Sequence, residues 1–277
     1  MEQMNWSLPE GTLIWDRTQQ PEQGEVLYPF ALEELLCRLV GDGGAPMVHL
    51  WRHPRAFVMG LRDSRLPYAR EAKRWLEDQG YSVAVRNSGG AAVPLDLGVV
   101  NVSLILPKRQ GQIDFRQDFE TMYSLVRDAL YSVTPDVAKG EVNGSYCPGD
   151  YDLSIEGRKF CGIAQRRQAH AFVVQAFVVV IGSGRSKAEL AREFYRIAAQ
   201  GAEQVSFPDV QENSMASLQE LVGLNDEQRF IDAVKQTVRT HRLESESGTM
   251  GGVLRIPEDA QVQEMISSMK SRYGIDG

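Results

Sequence analysis

Residues 144–168 read GSYCPGDYDLSIEGRKFCGIAQRRQ, and the fold turns on how this stretch divides. Glu156-Gly157 is a favourable pair for a tight two-residue turn, so 151–155 and 160–165 are read as the strands of one hairpin. Ahead of the hairpin, Cys147 lies in a loop with Gly144, Pro148 and Gly149. That setting is expected to expose it more than a usual core cysteine. The turn brings Arg158 and Lys159 back towards this loop, and a cation beside a thiol raises the thiolate fraction. A cysteine in such a loop is also compatible with inert packing. Cys37 and Cys161, both in apolar runs, are assigned to packing.

Upstream, a strand over 82–85 runs into Arg86-Asn87-Ser88-Gly89-Gly90-Ala91-Ala92-Val93. Adjacent glycines let the backbone approach a ligand closely because no Cβ intervenes, and an arginine at a strand end can hold an anion or a carbonyl oxygen. The stretch is neither a Walker loop nor a dinucleotide fingerprint, since the lysine-hydroxyl ending and the third glycine are missing. Further strands are read at 47–51, 56–59, 99–106 and 171–181, the last the most apolar. Apolar spacing places helices over 29–40, 68–79, 115–130, 187–199 and 257–273, and a further helix is expected to follow residues 225–228 and run to about His241. Asn225-Asp226-Glu227-Gln228 is shaped like a capping box with Asn225 as cap. The polar ESESGTMGG over 244–252 is the best linker candidate. Strands and helices interleave, yet several neighbouring strands are set to pair antiparallel. The fold class is therefore α+β: mixed, largely antiparallel sheets flanked by helices. It divides into an N-terminal helical lead-in (1–43), a catalytic domain (44–248) and a C-terminal helical extension (249–277).

The chain has 277 residues, 43% hydrophobic and 24% charged, which suits one large domain with a sizeable core. No apolar run reaches the length of a membrane span, and the N-terminus has no signal-peptide pattern. Three scattered cysteines make no disulfide framework, so a cytoplasmic protein with reduced thiols is expected. The net charge of −7 argues against nucleic acid as a partner. From 50 to 75, however, seven basic residues stand against two acidic ones. Such a face on an acidic protein can steer an acidic partner. Arg52, Arg55, Arg62, Arg65, Arg166 and Arg167 are the candidate docking positions.

RNSGGAAV, EGRKFCGIAQRR and the strand that follows resemble the lipoate/biotin protein ligase and transferase superfamily, over roughly 44–248. Within it, GSYCPGDYDLSIEGRKFCGIAQRRQ looks like the protein N-octanoyltransferases that use octanoylated glycine cleavage H protein. The resemblance implies a biotin/lipoate ligase-like catalytic domain with an acyl-thioester cysteine at Cys147 and, at Lys159, the lysine that lowers its pKa. Arg86, Ser88, Gly89, Gly90 and Gly162 are then the substrate-binding candidates. The family's usual alanine before that glycine is Cys161 here. The implied reaction moves an octanoyl group, or alternatively a lipoyl group, from glycine cleavage H protein to lipoyl domains of 2-oxoacid dehydrogenases. No cofactor and no metal are expected. Storing the acyl group on a nucleophile divides one hard transfer into two steps, and amide-to-amide exchange needs no ATP. A donor acyl carrier protein is the closest alternative, followed by an ATP-dependent ligase and a non-catalytic lipoyl-domain binding module. His49, His53 and His170 have no assignable partner, so no Cys-His triad is proposed.

Overall fold

The computed structural model describes residues 6–21, 24–108, 115–201, 206–243 and 254–275. In chain order the elements are β1 (Leu13–Asp16), α1 (Leu27–Gly41), β2 (Met47–Trp51), β3 (Arg55–Met59), a 3-10 turn (Asp63–Arg65), α2 (Ala69–Asp78), β4 (Ser82–Val85), β5 (Val93–Asp96) and β6 (Val99–Pro107). There follow α3 (Arg116–Leu130), β7 (Ala138–Lys139), β8 (Leu153–Ile155), β9 (Arg158–Arg167), β10 (Ala171–Val179), α4 (Gly184–Ala198), α5 (Leu218–Val222), α6 (Glu227–His241) and α7 (Asp259–Tyr273).

Seven strands form one sheet in the order β1-β2-β6-β10-β9-β8-β7, and three form a second in the order β4-β3-β5. Among the strands of the described residues, β1–β2 and β3–β4 are the parallel pairs. The fold is thus mixed and largely antiparallel, as expected. Side chains alternate across a strand, and in the large sheet both faces are apolar. Met47, Trp51, Ile105, Val173 and Phe177 pack on one face with α1 and α7, a core that continues under the small sheet. Val48, Leu50, Val102, Leu104, Val174 and Val178 face the other way, against α3 and α6. Burial on both faces explains why β2, β6 and β10 read as near-continuous apolar runs.

The hairpin forms where the turn residues put it. Glu156 and Gly157 have φ of 51° and 75°, and Ile155 pairs with Arg158 across them. Two consecutive left-handed residues match the right-handed twist of the flanking strands.

Several boundaries differ from the sequence reading, each for a local reason. The helix expected from 187 begins at Gly184, because the Ser183 hydroxyl accepts from Ser186 N–H and caps it. The cap of α6 is Asp226, not Asn225; its carboxylate accepts from Gln228 N–H at 2.9 Å. The strand expected to reach 181 ends at Val179. The final helix starts at Asp259, two residues past Pro257. Five short elements were missed: β1, the 3-10 turn, β5, β7 and α5. The strand β1 is only half-buried along its length and has no apolar alternation. The strand β5 contains Pro94, tolerated because β5 is an edge strand that pairs on one side only. The five residues of α5 are too few for a period, although Ser217 and Glu220 form a capping box there. The linker expected over 244–252 lies outside the described residues. No helix among the described residues is long and apolar enough to cross a membrane.

Candidate active site

Three segments far apart in sequence meet at Cys147: the loop before β8, the loop after β4, and the start of β9. The loop before β8 is anchored by Tyr146, a fully buried ring stacked on Phe177 at 5.7 Å. Next to it Cys147 adopts φ of 49°, a left-handed conformation uncommon outside glycine. The residue as a whole is 7% exposed. It is more exposed than Cys37 and Cys161, both at 0%, and still buried, because Tyr146 draws the loop into the core.

The sulfur has two donors. Ala91 N–H lies 3.1 Å from Sγ, and the Arg86 guanidinium donates through Nη2 at 3.2 Å. The same Nη2 also donates to Ala91 O at 2.9 Å, so the arginine braces the loop it serves. Both donors are placed to stabilise negative charge on sulfur. The two glycines have different parts. A Cβ on Gly90, whose φ is +92°, would sit 2.5 Å from Arg86 Nη2 and 2.7 Å from Cys147 Sγ. A Cβ on Gly89 would meet nothing within 4 Å. Only the second glycine is demanded by the close approach.

Lys159 is fully buried but does not touch the sulfur. Its ammonium donates to the carbonyls of Tyr146 at 2.9 Å and Cys147 at 2.6 Å, and pairs with Asp152 Oδ1 at 2.8 Å. The cation that hydrogen-bonds the sulfur is thus Arg86, while the lysine expected from the hairpin reaches the carbonyl of the same residue. Lys159 instead holds from below the backbone that carries Cys147. Asp152, which the sequence reading did not single out, is 1% exposed, and its other oxygen accepts from Val142 N–H and the Ser145 hydroxyl. Burial raises its carboxyl above the usual range, against the opposing pull of Lys159.

A narrow pocket, open to solvent at its mouth, adjoins the thiol. Arg86, Cys147 and Gly162 line it, together with the apolar side chains of Phe30, Trp51, Val58, Val93, Leu95 and Phe177. Walls of this kind suit an aliphatic chain. Of the other three candidates, Ser88 is buried without a hydrogen-bond partner among the described residues, and none of Ser88, Gly89 and Gly90 lines this pocket. A Cβ on Gly162 would lie 2.5 Å from Phe177 Cε1. Gly162→Ala is therefore expected to push the Phe177 ring into the pocket. Overpacking of about 1–3 kcal/mol predicts a shift of preference towards shorter acyl groups of roughly fivefold to a hundredfold. Relative rates with butanoyl and octanoyl donors check this.

Arg86→Gln removes the charge at the sulfur. Alkylation of Cys147 by iodoacetamide at fixed pH is expected to slow roughly tenfold, as for a lost charge-assisted hydrogen bond. Intact-mass kinetics read the rate, and a wild-type rate would show that the guanidinium does not act on the thiol.

The other candidates fall into structural roles. His49 Nδ1 is 2.8 Å from Glu33 Oε1, and Trp51 Nε1 donates to the same oxygen. His53 accepts from Arg55 N–H and its second nitrogen meets Gly24 O at 3.2 Å. Burial pushes the Cys37 thiol up to about 12, and raises Cys161 further, which suits inert packing. Among the docking arginines, Arg52 is tied to Thr18 O and Leu97 O, and Arg55 lies over the Tyr81 ring. Arg166 pairs with Glu34 and Arg167 with Asp118. Arg62 and Arg65 are exposed and have no ion pair among the described residues.

Two mixed sheets with an apolar pocket between them define a lipoate-protein ligase-like fold. A lipoate-protein ligase A bound with ATP superposes with a TM-score of 0.72 at 20% identity, covering 96% of this chain and 98% of that one. The bipartite lipoate-protein ligase of Thermoplasma acidophilum gives 0.69 at 19% identity, covering 97% and 98%. The chain belongs to the lipoyl protein ligase A/B catalytic domain family, whose model matches residues 25–241. It is 47% identical over 196 residues to an octanoyl-[GcvH]:protein N-octanoyltransferase of Geobacillus kaustophilus, covering 70% of this chain and 69% of that protein. An enzyme of the same name from Macrococcus caseolyticus is 40% identical over 222 residues, 79% of each chain. A lipoyl-[GcvH]:protein N-lipoyltransferase of Listeria monocytogenes is 41% identical over 214 residues, covering 76% and 77%.

Proposed function

We propose that the protein is an acyltransferase that moves an octanoyl group from octanoylated glycine cleavage H protein (GcvH) to lysines of lipoyl domains, through a thioester on Cys147. The observation that carries this is the Cys147 thiol, held by Arg86 and Ala91 N–H at an apolar pocket. The names of its relatives support the choice of donor.

In the first half-reaction the thiolate attacks the carbonyl carbon of the octanoyl-lysine amide. The carbon–nitrogen bond breaks, the donor lysine leaves as an amine after taking a proton, and the acyl group stays on sulfur. In the second, the acceptor amine attacks the thioester carbonyl, sulfur leaves as thiolate, and the amine gives up a proton. One amide replaces another, so ATP is not consumed. The thioester lies uphill from either amide. The donors that meet the thiolate are adjacent to the carbonyl oxygen as charge develops there. Lys159 keeps the peptide units of residues 146 and 147 in place throughout. The reaction runs in the cytoplasm, where the thiol stays reduced.

The test is intact-mass analysis after mixing with octanoyl-[GcvH] or octanoylated acyl carrier protein, each with and without ATP. One octanoyl group is expected on the protein from the GcvH donor without ATP. Loading from acyl carrier protein alone, or only with ATP, would overturn the donor or the mechanism. A lipoyl cargo has its own support in the Listeria relative, and lipoyl-[GcvH] in the same assay compares the two.

A further inference from the structure

We propose that Tyr195 and Asp63 are positioning residues that hold the amide of Ala91 on the sulfur of Cys147. The inference rests on Cys147 being the acyl carrier. Consecutive amides of one loop face different partners: Ala91 N–H donates to Cys147 Sγ at 3.1 Å, and Ala92 N–H donates to the Tyr195 hydroxyl at 3.2 Å. The hydroxyl in turn donates to Asp63 Oδ1 at 2.9 Å, and Asp63 Oδ2 accepts from Gly60 N–H at 2.7 Å. Gly60 is the backstop of the same loop, since a Cβ there would lie 2.2 Å from Gly90 O and 3.0 Å from Ala91 Cα. The carboxylate of Asp63 therefore secures the loop twice, through the glycine behind it and through the tyrosine that holds its next amide.

Both side chains are 2% exposed. Packing alone gives no reason for a buried carboxylate and phenol at this place, because apolar groups of similar shape fill a core without the desolvation cost. The rings beside Tyr195, Phe194 at 5.1 Å and Phe207 at 5.7 Å, hold it whether or not the hydroxyl is present. What the hydroxyl adds is the orientation of the Ala92 peptide. A misplacement of the neighbouring amide by a fraction of an ångström weakens a donor that serves the reacting sulfur.

The experiment compares the full chain, Tyr195→Phe, Asp63→Asn and the double variant. Hydrogen exchange of residues 86–92 is measured without any acyl donor, and single-turnover acylation of Cys147 by octanoyl-[GcvH] is followed by intact mass. Tyr195→Phe is expected to exchange this segment about tenfold faster and to acylate about tenfold more slowly at saturating donor. The half-saturating donor concentration stays within about twofold, because the donor surface is untouched. Asp63→Asn keeps one acceptor oxygen and falls between, and the double variant is no slower than Tyr195→Phe, as for residues in one chain of contacts. Unchanged exchange in Tyr195→Phe overturns the clamp whatever the acyl donor does. Faster exchange with wild-type acylation overturns its part in the reaction, as does full additivity in the double variant. A wild-type protein that takes no acyl group counts against the thioester itself, a result the exchange data keep distinct.

Discussion

Cys147→Ser protein mixed with octanoyl-[GcvH] is expected to gain no octanoyl group and to lose transfer by at least about a thousandfold, the scale on which loss of a nucleophile acts. A serine hydroxyl needs a general base to become nucleophilic, whereas a thiolate does not. Two of the chain's four histidines are committed elsewhere, His49 to Glu33 and His53 to Gly24 O and Arg55 N–H. The fold should survive, since a hydroxyl can accept from the same two donors, Ala91 N–H and Arg86. A thermal midpoint close to that of the parent protein, together with absent acylation, is the expected pair of results. Retained turnover would remove Cys147 from the mechanism. Cys37→Ala is the matched control: its thiol is pushed up to about 12 by burial and then by Glu34, and its loss should leave transfer intact.

The second large effect belongs to Lys159. Lys159→Met leaves the Asp152 carboxylate buried beside an apolar group, and breaking a buried pair from one side costs roughly 3–5 kcal/mol. The carbonyls of Tyr146 and Cys147 lose their donor at the same time, so transfer fails with stability. The pH dependence has a definite sign. Burial already raises the Asp152 carboxyl above its ordinary 3.8, with Lys159 opposing. Removing Lys159 raises it further. A carboxyl raised on folding contributes stability fully present below its unfolded value and lost as pH rises through its folded value. The deficit of Lys159→Met is therefore largest at neutral pH and shrinks as pH falls towards 4. Urea midpoints at several pH values measure it. The double variant Lys159→Met/Asp152→Leu, with no buried charge, should be more stable than Lys159→Met alone. A deficit independent of pH, or a double variant no better than the single, would contradict this account of the pair.

Much of the architecture was legible because it rests on local chemistry. The β8–β9 hairpin follows from Glu156-Gly157, and the buried strands follow from runs of branched apolar residues. The elements that escaped were those whose local signal is short or masked. The strand β1 is held by pairing with β2 rather than by its own pattern, and Pro94 disguises β5. The capping box Ser217–Glu220 could have found α5, since its S-x-x-E signature is present in the chain. The basic stretch was legible as composition only. Which arginines are available depended on where Thr18, Tyr81, Glu34 and Asp118 came to lie.

The site divides along the same line. Residue types offered Cys147, Arg86 and the adjacent glycines as candidates and left Arg158 and Lys159 both open as the cation; the family resemblance assigned Cys147 and Lys159. Their mutual arrangement was not contained in that pattern. Lys159, twelve residues from Cys147, lies under its carbonyl, while Arg86, 61 residues away, reaches its sulfur. Asp63 and Tyr195 meet across 132 residues. Local patterning reports torsions and faces, which short-range sterics and burial govern. Which charge touches which atom follows from the order of strands in two sheets and from the packing of helices onto them. Those are settled by contacts between segments far apart in the chain.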